Sequence, residues 1–283
     1  MKKNNIILLA TYWNEIDWIK PSLEQIDMIN PLEIIICDGC FDPNNPNYST
    51  DGTSEIIKRF VAERDNAQMV SALRLSKING VISLLKGNSK TKSYNILKPS
   101  RWLTALSSAR KNVYRLNQAT TFNYMISISK FWKPERWFMA YDVDQFYSDE
   151  MIKEFSITNE DNDYGLLTGK ELTFFENFSK YTDEYEKREY NNMPHKIYPN
   201  TMIKPTRDPI LESFFRRKKY IKAVESKRTG FYFHYKFNTP RFQKGYDLGD
   251  RKKPNIMKYV SKTLKTKYHP NIIKKYFNMN MGT

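Results

Sequence analysis

The fold of this chain is decided by residues 6–39, which read IILLATYWNEIDWIKPSLEQIDMINPLEIIICDG. Residues 6–10 are a continuous apolar run, residues 32–37 (LEIIIC) are apolar except for Glu33, and each segment predicts a buried strand. Between them, apolar residues recur every three or four positions, which predicts a helix over residues 17–28. Strand, helix and strand in this order begin a βαβ unit, so we expect a parallel sheet.

The rest of the chain extends this α/β pattern. A helix is predicted to start near residue 53, where Thr53 or Ser54 can cap the first turn. The other predicted segments are irregular structure over 66–100, helices over 101–118 and 149–155, a strand beginning at residue 138, strands over 164–168, 172–175 and 231–237, a loop over the site at 178–208, and a helical tail from about residue 252. The predicted fold class is therefore α/β with a mostly parallel sheet and an irregular, basic C-terminal region.

Two acidic residues follow an aromatic-rich apolar run at residues 137–147, which read WFMAYDVDQFY. Asp142 and Asp144 are two positions apart, so in a strand both carboxylates would share one face at its exit. Carboxylates side by side repel each other, and a bound Mg²⁺ or Mn²⁺ carrying a phosphate would remove that repulsion. The other interpretation is that both residues belong to a solvated turn.

The formal charge of +15 indicates an anionic partner, which could be nucleic acid, an acidic membrane surface or a phosphate-rich substrate. Basic residues concentrate at 216–219, 251–253 and 262–275, and residues 230–237 interleave aromatic side chains with polar ones. This mixture suits stacking combined with phosphate contacts. The alternative is a solvated surface in a chain that is rich in Lys and Asn.

Hydropathy and cysteine content indicate a protein of the cytoplasm. No apolar run approaches the roughly 20 residues needed to span a bilayer, so no transmembrane segment is expected. Cys37 and Cys40 have the spacing of a redox or zinc motif, but the sequence has no second pair of cysteines to complete a zinc site. We expect two ordinary reduced thiols.

Three acidic positions fall at the carboxyl ends of predicted strands, namely Glu15, Asp38 and the pair Asp142 and Asp144. Ligands of open parallel α/β sheets bind at this edge. In order along the chain, the motifs ATYWNE (10–15), IIICDG (34–39), STDGT (49–53) and DVD (142–144) resemble those of the inverting family-two glycosyltransferases. The resemblance covers roughly residues 5 to 150 and implies the glycosyltransferase A fold, whose nucleotide-binding part is Rossmann-like.

The resemblance implies a role for each matching residue. Thr11, Tyr12 and Glu15 would border the nucleotide, with Tyr12 stacking on the base, and Asp38 would accept a hydrogen bond from the base. Asp51 would flank the nucleotide, although it could equally serve as an acid at a helix N-terminus. Arg110 would lie near the diphosphate, Asp142 near the ribose and the metal, and Asp144 on the metal. The implied cofactor is Mn²⁺ or Mg²⁺, which would act as a Lewis acid on the departing nucleoside diphosphate.

The sequence departs from the family pattern in two places. Residues 40–48 separate the Asp-Gly turn from the STDGT motif, and the usual downstream acidic pair that supplies the catalytic base is absent. A base is still needed to take the proton of the acceptor hydroxyl. The candidates are Glu212 first, and then Glu171, Asp208 and Glu225. His234 is a candidate additional metal ligand, whereas a packed, hydrogen-bonded core histidine is the alternative.

The predicted function is a hexosyltransferase-like, inverting glycosyltransferase with a UDP-linked donor. Residues 1–175 would form the nucleotide-sugar-binding domain and residues 176–283 the acceptor-binding region, the two packed as one unit. The acceptor would be a surface glycan or a lipid-linked saccharide, with the basic tail in peripheral contact with the inner membrane face. The alternatives are a glycosyltransferase that modifies DNA and a non-catalytic nucleic-acid-binding protein. A nucleotidyltransferase is disfavoured because residues 11–15 contain no glycine for a phosphate loop.

Overall fold

The computed structural model describes residues 2–86, 113–160, 162–174, 177–183, 192–198, 202–203, 209–210, 226–235 and 262–279. It shows a mixed α/β protein with a mostly parallel central sheet. The first half contains β1 (Asn4–Tyr12), α1 (Ile19–Ile29), β2 (Pro31–Asp38), α2 (Thr53–Ala62), β3 (Ala67–Ser71), α3 (Lys77–Lys86), α4 (Val113–Ile128), β4 (Trp137–Asp142) and β5 (Gln145–Tyr147). The second half contains α5 (Asp149–Glu154), a 3₁₀ turn (Phe155–Asn159), β6 (Leu166–Phe174), β7 (Lys180–Thr182), β8 (His195–Lys196), β9 (Met202–Ile203), β10 (Pro209–Ile210), β11 (Ser226–His234), β12 (Lys262–Thr263), a second 3₁₀ turn (Thr266–Tyr268) and α6 (Asn271–Tyr276).

Four parallel strands form the centre of the sheet in the order β3-β2-β1-β4. The register places Tyr12 beside Asp38 and Thr11 beside Asp142. The ends of β2 and β4 therefore flank the end of β1, and the acidic residues that close those strands lie on the same edge of the sheet.

A second group of strands continues the sheet beyond β4. The short strand β8 lies antiparallel between β4 and β6, β11 runs parallel to β6, and β5 pairs antiparallel with β11. His234, at the end of β11, is paired with Thr173 on one side and with Gln145 on the other. This arrangement brings the end of β11 to the turn that joins β4 and β5.

The apolar run in β1 is buried because both faces of the sheet are covered. Ile6, Leu8 and Ala10 belong to a core that includes residues of α1, α2 and α5. Ile7 and Leu9 point to the opposite side, where residues of α4 pack. Side chains of a strand alternate between its faces, so a strand covered on both sides reads as continuously apolar.

The structure confirms the mixed α/β class and corrects several predicted elements. Residues 164–168 and 172–175 were predicted as two strands, but β6 is one strand of nine residues (Leu166–Phe174). The helix predicted over 101–118 is wrong at its C-terminal end because α4 continues to Ile128, while residues 101–112 lie outside the described part. The region 66–100 was predicted as irregular, yet it contains β3 and α3.

The C-terminal half departs further from the predictions. The loop predicted over 178–208 contains short strands, and β8 lies inside the sheet between β4 and β6. The described part of the tail is a strand, a 3₁₀ turn and the short helix α6 rather than one helix. The ten-stranded sheet formed by the described residues takes strands from both sides of the predicted domain boundary at residue 175. Among the helices that the structure describes, none is long and apolar enough to cross a membrane.

Candidate functional site

The candidate site lies at the carboxyl edge of the sheet, where β1, β2 and β4 end. Its first wall is the segment 49–54, which is hydrogen bonded to the loop after β1. The backbone N–H of Asn14 donates to Ser49 Oγ (2.9 Å), and Asn14 Oδ1 accepts from the N–H of Thr50 (2.8 Å). The N–H of Glu15 donates to Thr53 Oγ1 (2.9 Å), so the two motifs found in the sequence form one rigid unit.

Asp51 serves as an acid at the N-terminus of α2. Its Oδ1 accepts from the backbone N–H of Thr53 (3.0 Å), and its Oδ2 accepts from the N–H of Ile16 (3.0 Å). The helix begins at Thr53 after Gly52, whose φ of 97° requires glycine, so the predicted cap by Thr53 or Ser54 is wrong. This supports the second interpretation of Asp51, in which its carboxylate stabilises a helix N-terminus.

The carboxylate of Asp38 is buried and binds the same segment, residues 49–54, at the end of β2. Ser49 Oγ donates to its Oδ1 at 2.5 Å, and Ser54 Oγ donates to its Oδ2. The nine residues 40–48, which depart from the family pattern, do not separate these groups, because this loop folds back over Gly39. A Cβ at Gly39, where φ is 151°, would lie 2.5 Å from the backbone oxygen of Asn47.

Tyr12 does not present its ring at this edge. Its side chain is 1% exposed within the core, and its hydroxyl makes a hydrogen bond with Ser22 Oγ (2.8 Å). Burial, together with the neighbouring Tyr141, raises the pKa of Tyr12 well above its usual value. The prediction that Tyr12 stacks on a base is therefore wrong for this conformation, because the ring is already covered. Thr11 and Glu15 are also buried, with Glu15 1% exposed.

The two aspartates after the apolar run occupy different environments. Asp142 is the last residue of β4 and is half-buried, and its Oδ2 accepts from Asn192 Nδ2 at 2.8 Å. Asp144 lies in the turn before β5 and is 5% exposed, and its backbone oxygen accepts from the N–H of Tyr235 (2.7 Å). The expectation that both residues belong to one strand is thus corrected, since the strand ends at Asp142.

His234 lies between two buried carboxylates. Its Nδ1 donates to Glu171 Oε1 at 2.6 Å, and its Nε2 lies 3.7 Å from Asp144 Oδ1, which is too long for a hydrogen bond. Burial alone would lower the pKa of His234, but the charges of Asp144 and Glu171 raise it to about 10. The two carboxylates therefore favour the protonated imidazole.

Glu171 is engaged on both of its carboxylate oxygens. Besides His234, Thr173 Oγ1 donates to Oε1 (2.9 Å) and the Tyr232 hydroxyl donates to Oε2 (3.0 Å). Burial would raise the pKa of Glu171, but the hydrogen bond and the charge of His234 outweigh burial and lower it. A carboxylate with three donors and a low pKa is poorly suited to remove a proton, so the geometry disfavours Glu171 as the catalytic base.

The side chains around Asp144 suit a divalent cation only in part. Two ligands of one ion lie about 3 to 4 Å apart, which matches the 3.7 Å between His234 and Asp144. Glu171 holds the other ring nitrogen, as carboxylates commonly do for metal-bound histidines. The described residues contain no group of three His, Cys, Asp or Glu side chains able to hold an ion by themselves. A cation here would take its remaining ligands from water or from phosphates, as Mg²⁺ usually does.

Several predicted site residues lie outside the described residues. They are Arg110, Asp208, Glu212 and Glu225, together with the basic segments 216–219 and 251–253. Cys37 and Cys40 are described, and both are buried thiols that form no disulfide among the described residues. Burial raises the pKa of Cys37, as expected for an unreactive core cysteine.

The structure adds contacts at the site that the sequence did not predict. Asn192 contacts Asp142 across fifty residues, and Ser49 and Ser54 bind Asp38. Arg74 follows β3 and donates through Nε to the backbone oxygen of Cys40 (3.1 Å) beside the loop 40–48. Ser49 is the first residue of the STDGT motif and Ser54 follows its last residue, so the motif could have indicated both serines. No local pattern marks Asn192 or Arg74.

A scan of the sequence against protein-family models gives no match, and a search of curated proteins gives none either.

Proposed function

We propose that this protein is a metal-dependent glycosyltransferase that moves a sugar from a nucleotide-diphospho-sugar, with UDP as the nucleotide, to an acceptor hydroxyl. The observation that carries the proposal is the convergence of three strand ends. Asp142 and Asp144 from β4 and its turn, His234 from β11 and the unit built on Asp38 meet along one edge of a parallel sheet. Ligands bind at that edge in open α/β sheets, and paired carboxylates there suit a metal-bound diphosphate.

The roles of the residues follow from their environments. Asp144, supported by Asp142 and His234, would hold Mn²⁺ or Mg²⁺, and Glu171 would orient His234 through Nδ1. When bound, the cation would neutralise the charge of the departing nucleoside diphosphate. Asp38 would act through the loop that it fixes, since its own oxygens are engaged by Ser49 and Ser54.

Inversion at the anomeric carbon needs a base that takes the proton of the acceptor hydroxyl as the hydroxyl attacks. Because Glu171 is engaged by three donors, the base is proposed among Glu212, Asp208 and Glu225, with Glu212 first.

The test is hydrolysis and transfer assayed over a panel of nucleotide sugars with Mn²⁺, Mg²⁺ or EDTA. We expect turnover of a UDP-sugar that EDTA abolishes, and a loss of at least about 100-fold in Asp144→Asn. The matched control is Asp163→Asn, an exposed residue away from the edge, which should retain full activity. Absence of turnover with every sugar, or an Asp144→Asn variant as active as the wild type, would refute the proposal.

The acceptor is proposed to be a surface glycan or lipid-linked saccharide at the cytoplasmic membrane face. The support is the charge of the C-terminal segment, where Lys265 and Lys267 are exposed beside Tyr268, which is 59% exposed. Binding to vesicles with anionic lipid, measured against neutral vesicles, tests this proposal.

The same charge would serve a DNA acceptor. In that case binding to duplex DNA should weaken steeply with salt, and sugar should be transferred to the DNA. A protein that only binds nucleic acid should tolerate Asp144→Asn without loss of binding, which separates it from both transferases.

A further inference from the structure

Asn192 joins the segment after β7 to the acidic end of β4. Its Nδ2 donates to Asp142 Oδ2 (2.8 Å) and to Gln145 Oε1 (2.7 Å), so both amide hydrogens are used. Asp142 and Gln145 lie on either side of the turn that carries Asp144. One neutral side chain therefore bridges the two ends of the turn.

The backbone of Asn192 is held by a hydrogen bond at its own carbonyl and by the residues that follow it. The Tyr147 hydroxyl donates to its backbone oxygen (2.5 Å), and its φ of 53° lies in the left-handed region that asparagine tolerates. The next residues are fixed in the sheet, since Met193 is fully buried and the N–H of Leu167 donates to the oxygen of Pro194 (3.0 Å). The hydrogen bond from Tyr147 and the buried residues that follow thus hold Asn192 where its amide contacts Asp142.

Gln145 is fixed from the opposite side by α1. Gln25 Nε2 donates to the backbone oxygen of Gln145 (3.1 Å), and Gln25 Oε1 accepts from the N–H of Tyr147 (2.7 Å). Gln145 itself is 3% exposed. The bridge made by Asn192 therefore joins Asp142 to a buried partner whose backbone is bound to α1, so it restrains the orientation of the Asp142 carboxylate.

We propose that Asn192 is a positioning residue that fixes the orientation of the Asp142 carboxylate and thereby sets the affinity of the site for a divalent cation. A neutral donor suits this role, because it restrains one oxygen without cancelling the negative charge that attracts the ion. This inference rests on the proposed function, since it concerns the cation of that same site.

The test compares Asn192→Gly with Asn30→Gly. Both asparagines have a left-handed backbone, with φ of 53° and 49°, so glycine is compatible with both positions and the variants should fold. Asn30 ends α1 at the opposite edge of the sheet, where its Nδ2 donates to the oxygen of Lys2. The Kd of Mn²⁺ is measured by calorimetry for the wild type and both variants, first with Mn²⁺ alone and then in the presence of UDP. Melting temperatures are recorded in parallel.

We expect Asn192→Gly to weaken Mn²⁺ binding by about tenfold, the usual effect of losing a partner of a metal ligand, and Asn30→Gly to bind as the wild type does. An unchanged Kd in Asn192→Gly, or an equal loss in Asn30→Gly, would overturn the inference and leave Asn192 with a structural role only. A wild type that binds no Mn²⁺ would overturn the metal dependence in the proposed function, and the inference with it. If the wild type binds Mn²⁺ and Asn192→Gly binds it with the same Kd, the inference alone is overturned and the proposed metal dependence stands.

Discussion

At the residue scale, Asp38 shows how a single buried carboxylate organises a loop. It accepts hydrogen bonds from Ser49, through both the hydroxyl and the backbone N–H, and from Ser54 at the start of α2. Its side chain is 2% exposed, so each of these bonds replaces water that the folded protein excludes. Asp38 thereby fixes Ser49, the first residue of the STDGT segment, at the end of β2. We therefore expect that the loop 40–48 can change in length without displacing that segment.

We predict that Asp38→Asn destabilises the protein by about 1 to 3 kcal/mol, because an amide offers one acceptor in place of two and leaves a buried hydroxyl without its partner. Urea denaturation followed by circular dichroism measures this loss. The control is Asp42→Asn in the same loop, where the side chain is half-buried and accepts from Asn44 and Asn45. Equal losses in the two variants would show that Asp38 has no special role in holding the segment.

At the scale of elements, Asp183 connects three strands at the end of the sheet that carries β12. It follows β7, and its two oxygens bind Lys170 Nζ of β6 (2.6 Å) and Lys262 Nζ of β12 (2.7 Å). The hydrogen bonds from Lys170 and Lys262 lower the pKa of Asp183 to about 2. Because β12 is two residues long, the bond from Lys262 to Asp183 is a side-chain contact that supplements its short backbone pairing with β7.

We predict that Asp183→Asn lowers the unfolding free energy by about 1 kcal/mol at pH 6, the upper end for ion pairs near a surface. The folded-state pKa is below that of the unfolded chain, so the contribution is present above about pH 4 and is lost as the pH falls towards 2. Urea denaturation between pH 6 and pH 3 should show the two proteins converging. The control Asp27→Asn removes an exposed pair with Arg64 and should cost less, and a difference at Asp183 that does not depend on pH would contradict the prediction.

The elements that could be predicted from the sequence are those long enough to show a recognisable pattern of apolar residues. β1 was predicted from a continuous apolar run and β2 from a run that only Glu33 interrupts, and the structure places their ends within two residues of the predicted ones. β8 has only two residues, which is too short for any pattern, so its position inside the sheet was not predictable. β6 was divided because Gly169 and Lys170 interrupt its apolar run, although the strand continues through them.

The same limit applies to the candidate site. The strand ends that carry Asp38 and Asp142 were predicted because each follows its own apolar run. The contacts of Glu171 with His234 and of Asn192 with Asp142 join residues 63 and 50 positions apart. Such contacts arise from the pairing of strands, and no local pattern encodes them. The role of Glu171 changed from candidate base to a partner of His234 for this reason.

At the scale of the whole molecule, the C-terminal segment packs against the first helix beneath the candidate site. The rings of Phe277 and Trp18 lie 4.5 Å apart, and Lys275 and Tyr276 both bind Glu24 of α1. His269 makes a hydrogen bond with the hydroxyl of Tyr235 (2.7 Å), and burial lowers the pKa of His269 to about 4. Within the described residues, the segment 269–277 is therefore packed on the folded core.

Two backbone hydrogen bonds connect this packing to residues of the candidate site. The N–H of Trp18 donates to the oxygen of Glu15 (2.9 Å), and the N–H of Tyr235 donates to the oxygen of Asp144 (2.7 Å). The aromatic layer formed by Trp18, Tyr235 and Phe277 thus supports the ends of β1 and β4 together, although these residues are far apart in the chain.

We predict that Phe277→Ala destabilises the protein by about 1 to 3 kcal/mol, less than for a fully buried phenylalanine because the ring is only partly covered. The loss should be concentrated in the C-terminal segment, since the ring packs on Trp18 beside α1 and lies directly after α6. Hydrogen exchange should therefore accelerate first in residues 271–276, at denaturant concentrations where β1 and β2 remain protected. The control is Tyr268→Ala, which truncates a ring that is 59% exposed and should leave both stability and exchange nearly unchanged. Uniform acceleration across the sheet and the tail would show instead that the segment unfolds only together with the whole molecule.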